Sequence, residues 1–343
     1  MMASQVVRRA GALCASSALF VAVALAFFAL NGSPPWSVFV AMIRGAFGDG
    51  FAISISLLKA TPILLCALSV ALPARMGLVT VGAEGQLYFG AMLGTAAVLH
   101  LVNASAWQVM PAMLLMCLLG GALWGAIPGL LRAKLDVNET IVTILLNYIA
   151  MHLVEYAVYG PWKDPENLGW PATIAFPDTT HFPAFVVADV TIHLEFLLAC
   201  IAAVVMHAVI TKSRWGLSLT ILRSNRRAAL MAGLSYTKNA VAVMALSGML
   251  AAFAGIVQTA DVQGRLQPDI SVGYGLSGFL VAWLGGQNFL RIIPLSLLMG
   301  GLMASADSLQ LFAGLPFAST VVLQGLLFGS VLALNGWLRR RSA

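Results

Sequence analysis

The chain reads as an all-α polytopic membrane protein, and three observations carry that expectation. Hydrophobic residues make up 60% of the 343 and charged residues only 9%, where a soluble domain has about a quarter of its residues charged. Apolar stretches near the roughly 20 residues that a spanning helix needs recur along the whole length. The basic residues gather in the short polar breaks between them rather than on one soluble face, so the net charge of +6 reports topology and not nucleic-acid binding. No stretch is left for a soluble domain of ordinary size, and residues 1–343 are expected to be one transmembrane domain.

Taken in order, the first apolar run, 11–30, follows Arg8 and Arg9. No small-residue cleavage site leads from it into a soluble mature domain, so it is expected as a retained helix rather than a signal peptide. Further segments are expected at 51–73, 78–100, 108–131, 139–160, 193–211, 239–260, 274–286, 292–312 and 318–338, about ten in all. The one near 274 is short and is expected to be re-entrant. If the spans alternate, Arg8, Arg9, Arg75, Arg132, Lys134, the stretch 212–238, Arg291, Arg339, Arg340 and Arg341 share one side. That side is the cytoplasm, which also places both termini there. The opposite loops carry Asp49, Asp164, Glu166, Asp178, Asp189, Asp261 and Asp269, with Arg44, Lys163 and Arg265 as exceptions. Small residues spaced by four, Gly90/Gly94, Gly121/Gly125/Gly129 and Gly325/Gly329, suit close helix packing in lipid. Cys14, Cys66, Cys117 and Cys200 lie singly in apolar runs and read as lipid or helix contacts.

The segment 77–86, Gly-Leu-Val-Thr-Val-Gly-Ala-Glu-Gly-Gln, places a carboxylate, Glu84, between the ends of two apolar runs. A charge at the bilayer centre costs about 2.5–3.5 kcal/mol on insertion scales, so Glu84 should face protein or water. Gly82 and Gly85 let another backbone come close or let the helix break. Gln86, Asn138, Glu139, Thr143 and Asn147 offer further donors and acceptors near two membrane entrances, and with Glu84 they are the candidate solute-path residues. A structural role is open for each: Asn138 can cap a helix starting at Glu139, and Asn147 can bond across helices. His152 with Glu155 and His193 with Glu195 raise a metal or proton relay. Without a His-Glu-x-x-His motif or a dense His cluster, no metal site is assigned.

The polar stretch 212–238 can hold a short helix. Ser224 or Asn225 can cap it, residues 226–232 favour helix, and Gly233 can end it in the left-handed conformation. With Ala228, Ala229 and Ala232 as a smooth surface beside Arg223 and Arg226, such a helix suits a groove on a soluble partner. A topology signal or contact with anionic lipid is the other reading of a basic loop.

Asn225, Ala228-Ala229 and Ala232-Gly233-Leu234, after the turn Arg214-Trp215-Gly216, resemble the coupling loop of the branched-chain amino acid, ribose and nucleoside class of bacterial ABC importer permeases. Residues 77–86 resemble the Gly-Leu-x-Asn-Ile-Gly-Ala-Glu-Gly-Gln motif of the nucleoside (simple sugar) branch. Residues 137–143 with Leu146-Asn147-Tyr148-Ile149-Ala150 resemble its next motif, and Gly273-Tyr274-Gly275 with 281–285 its Gly-Tyr-Gly segment. The chain departs at Thr80 and Val81, where the family favours Asn-Ile. It departs again at Arg226 and Arg227, where an acidic residue or Pro is common, and at 286–289, where a basic residue and Pro are usual.

The resemblance implies a permease domain over 1–343, with 212–238 as its cytoplasmic coupling loop, in the bacterial cell (inner) membrane, importing nucleosides or related purine or simple-sugar solutes. It implies as partners an ABC ATPase subunit, a second and distinct permease, an extracytoplasmic solute-binding protein and membrane lipid, without nucleic acid. The sequence has no Gly-x-x-x-x-Gly-Lys-Ser/Thr motif, so no cofactor is expected on this chain and ATP is expected on the partner. No catalytic triad or paired-carboxylate site points to an enzyme. Other classes stay open: an ion-coupled carrier using Glu84, Glu139, Glu155, His152 or Asp307, a passive channel, or a branched-chain amino acid or ribose permease.

Overall fold

A computed structural model describes residues 18–102, 104–167 and 169–340. Arg8, Arg9, positions 11–17 of the first apolar run with Cys14, Arg341 and both chain ends lie outside the described residues. The described chain is mostly helical: α1 (Ala18–Leu30), α2 (Pro35–Phe47), α3 (Gly50–Ala74), α4 (Ala83–His100), α5 (Ala106–Leu135), α6 (Glu139–Tyr159), α7 (Leu194–Lys212), α8 (Arg214–Ser224), α9 (Arg226–Met231), α10 (Tyr236–Val257), α11 (Tyr274–Leu284), α12 (Phe289–Ala304), α13 (Ala306–Ala313) and α14 (Ala318–Arg340). By length and composition, six stretches among the described residues are apolar enough to cross a membrane. They are α3, α5, α6, α7, α10 with the π turn that follows it, and α12 with α13; a seventh is counted if the bent pair α1–α2 forms one span.

Helix α2 lies between the segments expected at 11–30 and 51–73. Gly32, at φ 73°, and Pro35 at its first position break the apolar run, and α2 is turned 118° from α1. The chain is also not purely helical. Strands β1 (Ala184–Val187) and β2 (Val190–His193) pair in a hairpin whose turn residues, Ala188 and Asp189, have φ of 49° and 65°, the signs a two-residue type I′ turn requires. The expected segment 292–312 divides at Ser305 into α12 and α13, and the stretch 212–238 holds two helices, α8 and α9, rather than one.

The residues fall into two compact units. In the first, Met1–Ala60, Val186–Thr191 and Leu297–Ala343, α2 lies on α13: a Cβ at Gly45 would strike the Ser308 side chain. Ser56 Oγ donates to the Ala46 carbonyl at 2.6 Å. In the second, Thr61–Phe185 and Ile192–Ser296, α4, α5 and α10 form the centre. Gly121 and Gly125 of α5 face the backbone of Gly248 and Met244 in α10, Gly90 of α4 meets Ala252, and Gly255 meets the Leu87 carbonyl. In lipid, apolar burial no longer drives helix association, so this close backbone approach is what the small residues contribute. The expected spacings on α4 and α5 are thus packing positions, whereas a Cβ added at Gly325 or Gly329 on α14 would meet no other part of the described residues within 4 Å.

Candidate functional site

Helix α3 ends at Ala74, and Gly77, at φ 82°, turns the chain out of helix. Residues 78–81 then run without helix or strand to α4. Irregular backbone at membrane depth must find its hydrogen bonds inside the protein. Here they come from one face of α6, where Glu139, Thr143 and Asn147 recur every four residues and therefore stack. The Val79 N–H donates to Glu139 Oε1 at 3.1 Å, and its carbonyl accepts from Thr140 Oγ1 at 2.9 Å. The Val81 N–H donates to Thr143 Oγ1 at 3.3 Å, and its carbonyl accepts from Asn147 Nδ2 at 2.9 Å. Asn147 Oδ1 takes the Gly85 N–H at 2.8 Å. Glu139 is buried and held in place by Arg132 Nε at 3.3 Å, while Asn138 caps α6 by accepting from the Thr140 and Ile141 amides.

The glycines of this segment answer to the same contact. A Cβ on Gly82 would lie 2.9 Å from Thr143 Cβ, and one on Gly85 would lie 2.7 Å from Asn147 Cα. Larger residues would push the segment off α6.

Glu84 occupies the first turn of α4 and reaches across to α11. Its Oε2 accepts the Gly275 N–H at 2.6 Å, and the Leu276 amide and Ser271 hydroxyl also bond its carboxylate. The first amides of a helix have no partner in their own helix, and a carboxylate there complements the positive end of the helix dipole. Glu84 therefore caps α11, which starts just past Gly273 at φ 87°. Gln86, 1% exposed, accepts from Ser69 Oγ at 3.2 Å, and Ser69 pairs with Ser247 of α10 at 2.9 Å.

The structure thus gathers Glu139, Thr143 and Asn147 on one backbone segment and sets Glu84 on α11, Gln86 on Ser69 and Asn138 at a helix end. Sequence reasoning passed over Ser69, Ser247, Ser271 and Thr140. A serine inside an apolar helix is itself a signal of interhelical bonding. The His152–Glu155 contact forms at 2.8 Å on the exposed side of α6, and His193 Nδ1 lies 3.4 Å from Glu195 Oε1. Among the described residues no three metal-ligating side chains converge.

The stretch 212–238 takes its shape from local capping. Ser213 accepts from the Gly216 amide at the start of α8, Asn225 Oδ1 from the Ala228 amide at the start of α9, and Gly233, at φ 78°, ends α9. Of the two cap candidates, Asn225 is the one that serves. Arg226 stacks over the Tyr236 ring at 4.0 Å. Ala228 and Ala232 are exposed, but Ala229 is fully buried at 0%, so the expected three-alanine surface lacks its middle member, which is used for internal packing. Arg223 folds back onto the end of α3. Its Nη1 donates to the Ala74 carbonyl at 3.3 Å, and its Cγ would lie 3.3 Å from a Cβ on Gly77. Arg75, beside it, donates to the Gln287 carbonyl at 2.6 Å and covers the Phe289 ring. Burial and, second, the Arg223 charge push Arg75 below the usual guanidinium value.

Comparison with known proteins places the chain in a family. The family described as branched-chain amino acid transport system / permease component matches residues 52–332. The glucose ABC transporter permease protein TsgB13 of Haloferax volcanii is 33% identical over 313 residues, covering 88% of this chain and 81% of that protein. The guanosine ABC transporter permease protein NupP of Bacillus subtilis is 31% identical over 297 residues, covering 84% and 82%. The nucleoside ABC transporter permease protein NupB of Lactococcus lactis is 27% identical over 300 residues, covering 84% and 81%.

Proposed function

Because the chain belongs to the branched-chain amino acid transport system / permease component family, we propose that it carries a ring-bearing, hydroxyl-rich solute, a nucleoside or a simple sugar, into the cell. The chain is the integral-membrane permease subunit of an ABC importer and has no ATPase site of its own, so an ATPase and a solute-binding protein are its partners. The solute class is supported by the names of relatives, two of which specify nucleosides or guanosine and one glucose. The rest of the reading is a single permease domain of about ten membrane segments with both termini cytoplasmic, embedded in lipid beside a second, distinct permease. ATP is held by the ATPase partner, and Glu84, Gln86, Asn138, Glu139, Thr143 and Asn147 shape the solute path.

One observation carries the mechanism. The elbow made by α8 and α9 is tied through Arg223 to Ala74 and Gly77, the point from which the segment held by α6 departs. An ATPase groove closing on α9, with Arg223, Ser224, Asn225, Arg226, Ala228, Ala232 and Gly233 as its contact surface and Ala229 as the packed base, would move that attachment. The motion would reach Glu84 and α11 through a chain of hydrogen bonds rather than through a flexible loop.

The test is reconstitution with the second permease, the ATPase and the binding protein, followed by uptake of labelled guanosine, glucose and leucine. ATP-dependent accumulation of guanosine or glucose is expected. Accumulation of leucine alone, or uptake by the lone chain driven by a pH gradient, would overturn the reading.

A further inference from the structure

We infer that the exposed face of α6 is the surface the solute touches, with Tyr148, His152, Glu155 and Tyr156 as contact groups for a planar or pyranose ring bearing hydroxyls; this rests on the importer reading above. Helix α6 has 21 residues, which at about 1.5 Å per residue matches a hydrocarbon core of about 30 Å. His152 lies about 5 Å and Glu155 about 9 Å from its midpoint, inside the apolar layer. Their side chains are bonded to each other at 2.8 Å, yet remain 70% and 44% exposed. Tyr148 and Tyr156, four residues to either side of His152, are 60% and 71% exposed. The three form one stripe.

The long helices before and after it in sequence expose aliphatic side chains near their midpoints, Leu119 and Leu123 on α5 and Ile201 and Val205 on α7, suited to acyl chains. Helix α6 itself exposes Leu145 and Ile149 beside the stripe, and differs by adding the ionisable pair and the tyrosines. An ionisable pair and a row of phenols facing lipid at the same depth would be costly, so the α6 face borders water. Its chemistry matches the proposed cargo. Tyrosine rings stack on a planar base or on the apolar face of a sugar, and the His152–Glu155 pair offers a donor and an acceptor to hydroxyls. Several weak contacts in a row also suit a path that has to release what it holds. The opposite face of α6, bonded to Val79, Val81 and Gly85, fixes the orientation in which the stripe is presented.

The experiment uses the assembled importer in lipid, with the native cysteines replaced and a single cysteine placed at Tyr148, His152 or Tyr156, or at Ile201 or Val205 as lipid-side controls. Modification by a charged, membrane-impermeant thiosulfonate is expected at least tenfold faster at the α6 positions than at the α7 positions, and slower again when transported solute is present. Rates at α6 as low as those at α7 would overturn the inference, placing lipid or the second permease over this face, while ATP-driven uptake would still stand. As a second measurement, His152→Gln and Glu155→Gln should raise the uptake KM severalfold without lowering the thermal unfolding midpoint. Unchanged uptake kinetics in both would overturn it equally.

Discussion

The two faces of α6 put polar side chains to opposite uses. The inner face spends Glu139, Thr143 and Asn147 on the amides and carbonyls of an irregular segment, so its polar groups are consumed by the fold. The outer face carries Tyr148, His152, Glu155 and Tyr156, which are exposed and available. A polar residue in a membrane helix is thus not by itself a transport residue. What separates the two roles is whether a nearby backbone has lost its own helix and needs partners. Position along the helix decides little, since Asn147 and Tyr148 are adjacent in sequence and belong to different faces.

Substitutions should divide along the same line. The largest effect is expected from Gly85→Val: its Cβ would fall 2.7 Å from Asn147 Cα, a contact that only backbone movement can relieve. Loss of the monodisperse complex in size-exclusion chromatography is expected, and a normal elution profile would mean the segment is not clamped on α6. Next comes Asn147→Leu, which strands the Gly85 N–H and the Val81 carbonyl. Each buried unpaired group costs about 1–3 kcal/mol, so the thermal midpoint should fall clearly. Tyr148→Leu, one residue away, should leave stability within about 0.5 kcal/mol, as exposed positions do, and lower uptake instead. Equal thermal losses in the two variants would erase the distinction between the faces.

The elbow repeats the contrast on a smaller scale. Ala228 is exposed and Ala229 is buried. Ala228→Trp should therefore keep the folded permease but reduce co-purification of the ATPase several-fold, while Ala229→Trp should act first on stability. If Ala228→Trp retains full ATPase binding and coupled uptake, α9 does not present that side to the partner.

Much of this architecture could be read from the chain because it depends on local chemistry. The apolar runs 51–73 and 139–160 became Gly50–Ala74 and Glu139–Tyr159, and residue type alone narrowed the cap to Ser224 or Asn225 and gave the left-handed Gly233. Helix α2 was missed because 13 residues beginning with Pro35 and containing Arg44 fall short of the length by which spans are recognised. The β hairpin was missed because its strands are four residues each. For the candidate site, residue type marked Glu139, Thr143 and Asn147 as donors and acceptors but could not say what they meet. Glu84 bonds Gly275 across 191 positions of sequence, and no local pattern encodes such a partner. The burial of Ala229 is likewise a tertiary fact, invisible in an alanine-rich stretch whose members look alike.

The smallest expected effect is also the most discriminating, because it sits on the boundary between the faces. Thr140 is half-buried, next to Glu139, and its hydroxyl makes one bond, to the Val79 carbonyl at 2.9 Å. Thr140→Val keeps the branched shape and removes only that donor. The Val79 carbonyl then loses a partner on a segment whose remaining bonds, through Glu139, Thr143 and Asn147, still hold it. A net loss of about 0.5–1.5 kcal/mol is expected, the usual worth of one such hydrogen bond, read as a small drop in thermal midpoint at unaltered uptake KM. A raised KM with unchanged stability would instead move Thr140 to the solute side, and the boundary drawn through α6 would have to be shifted toward Glu139 and Thr143.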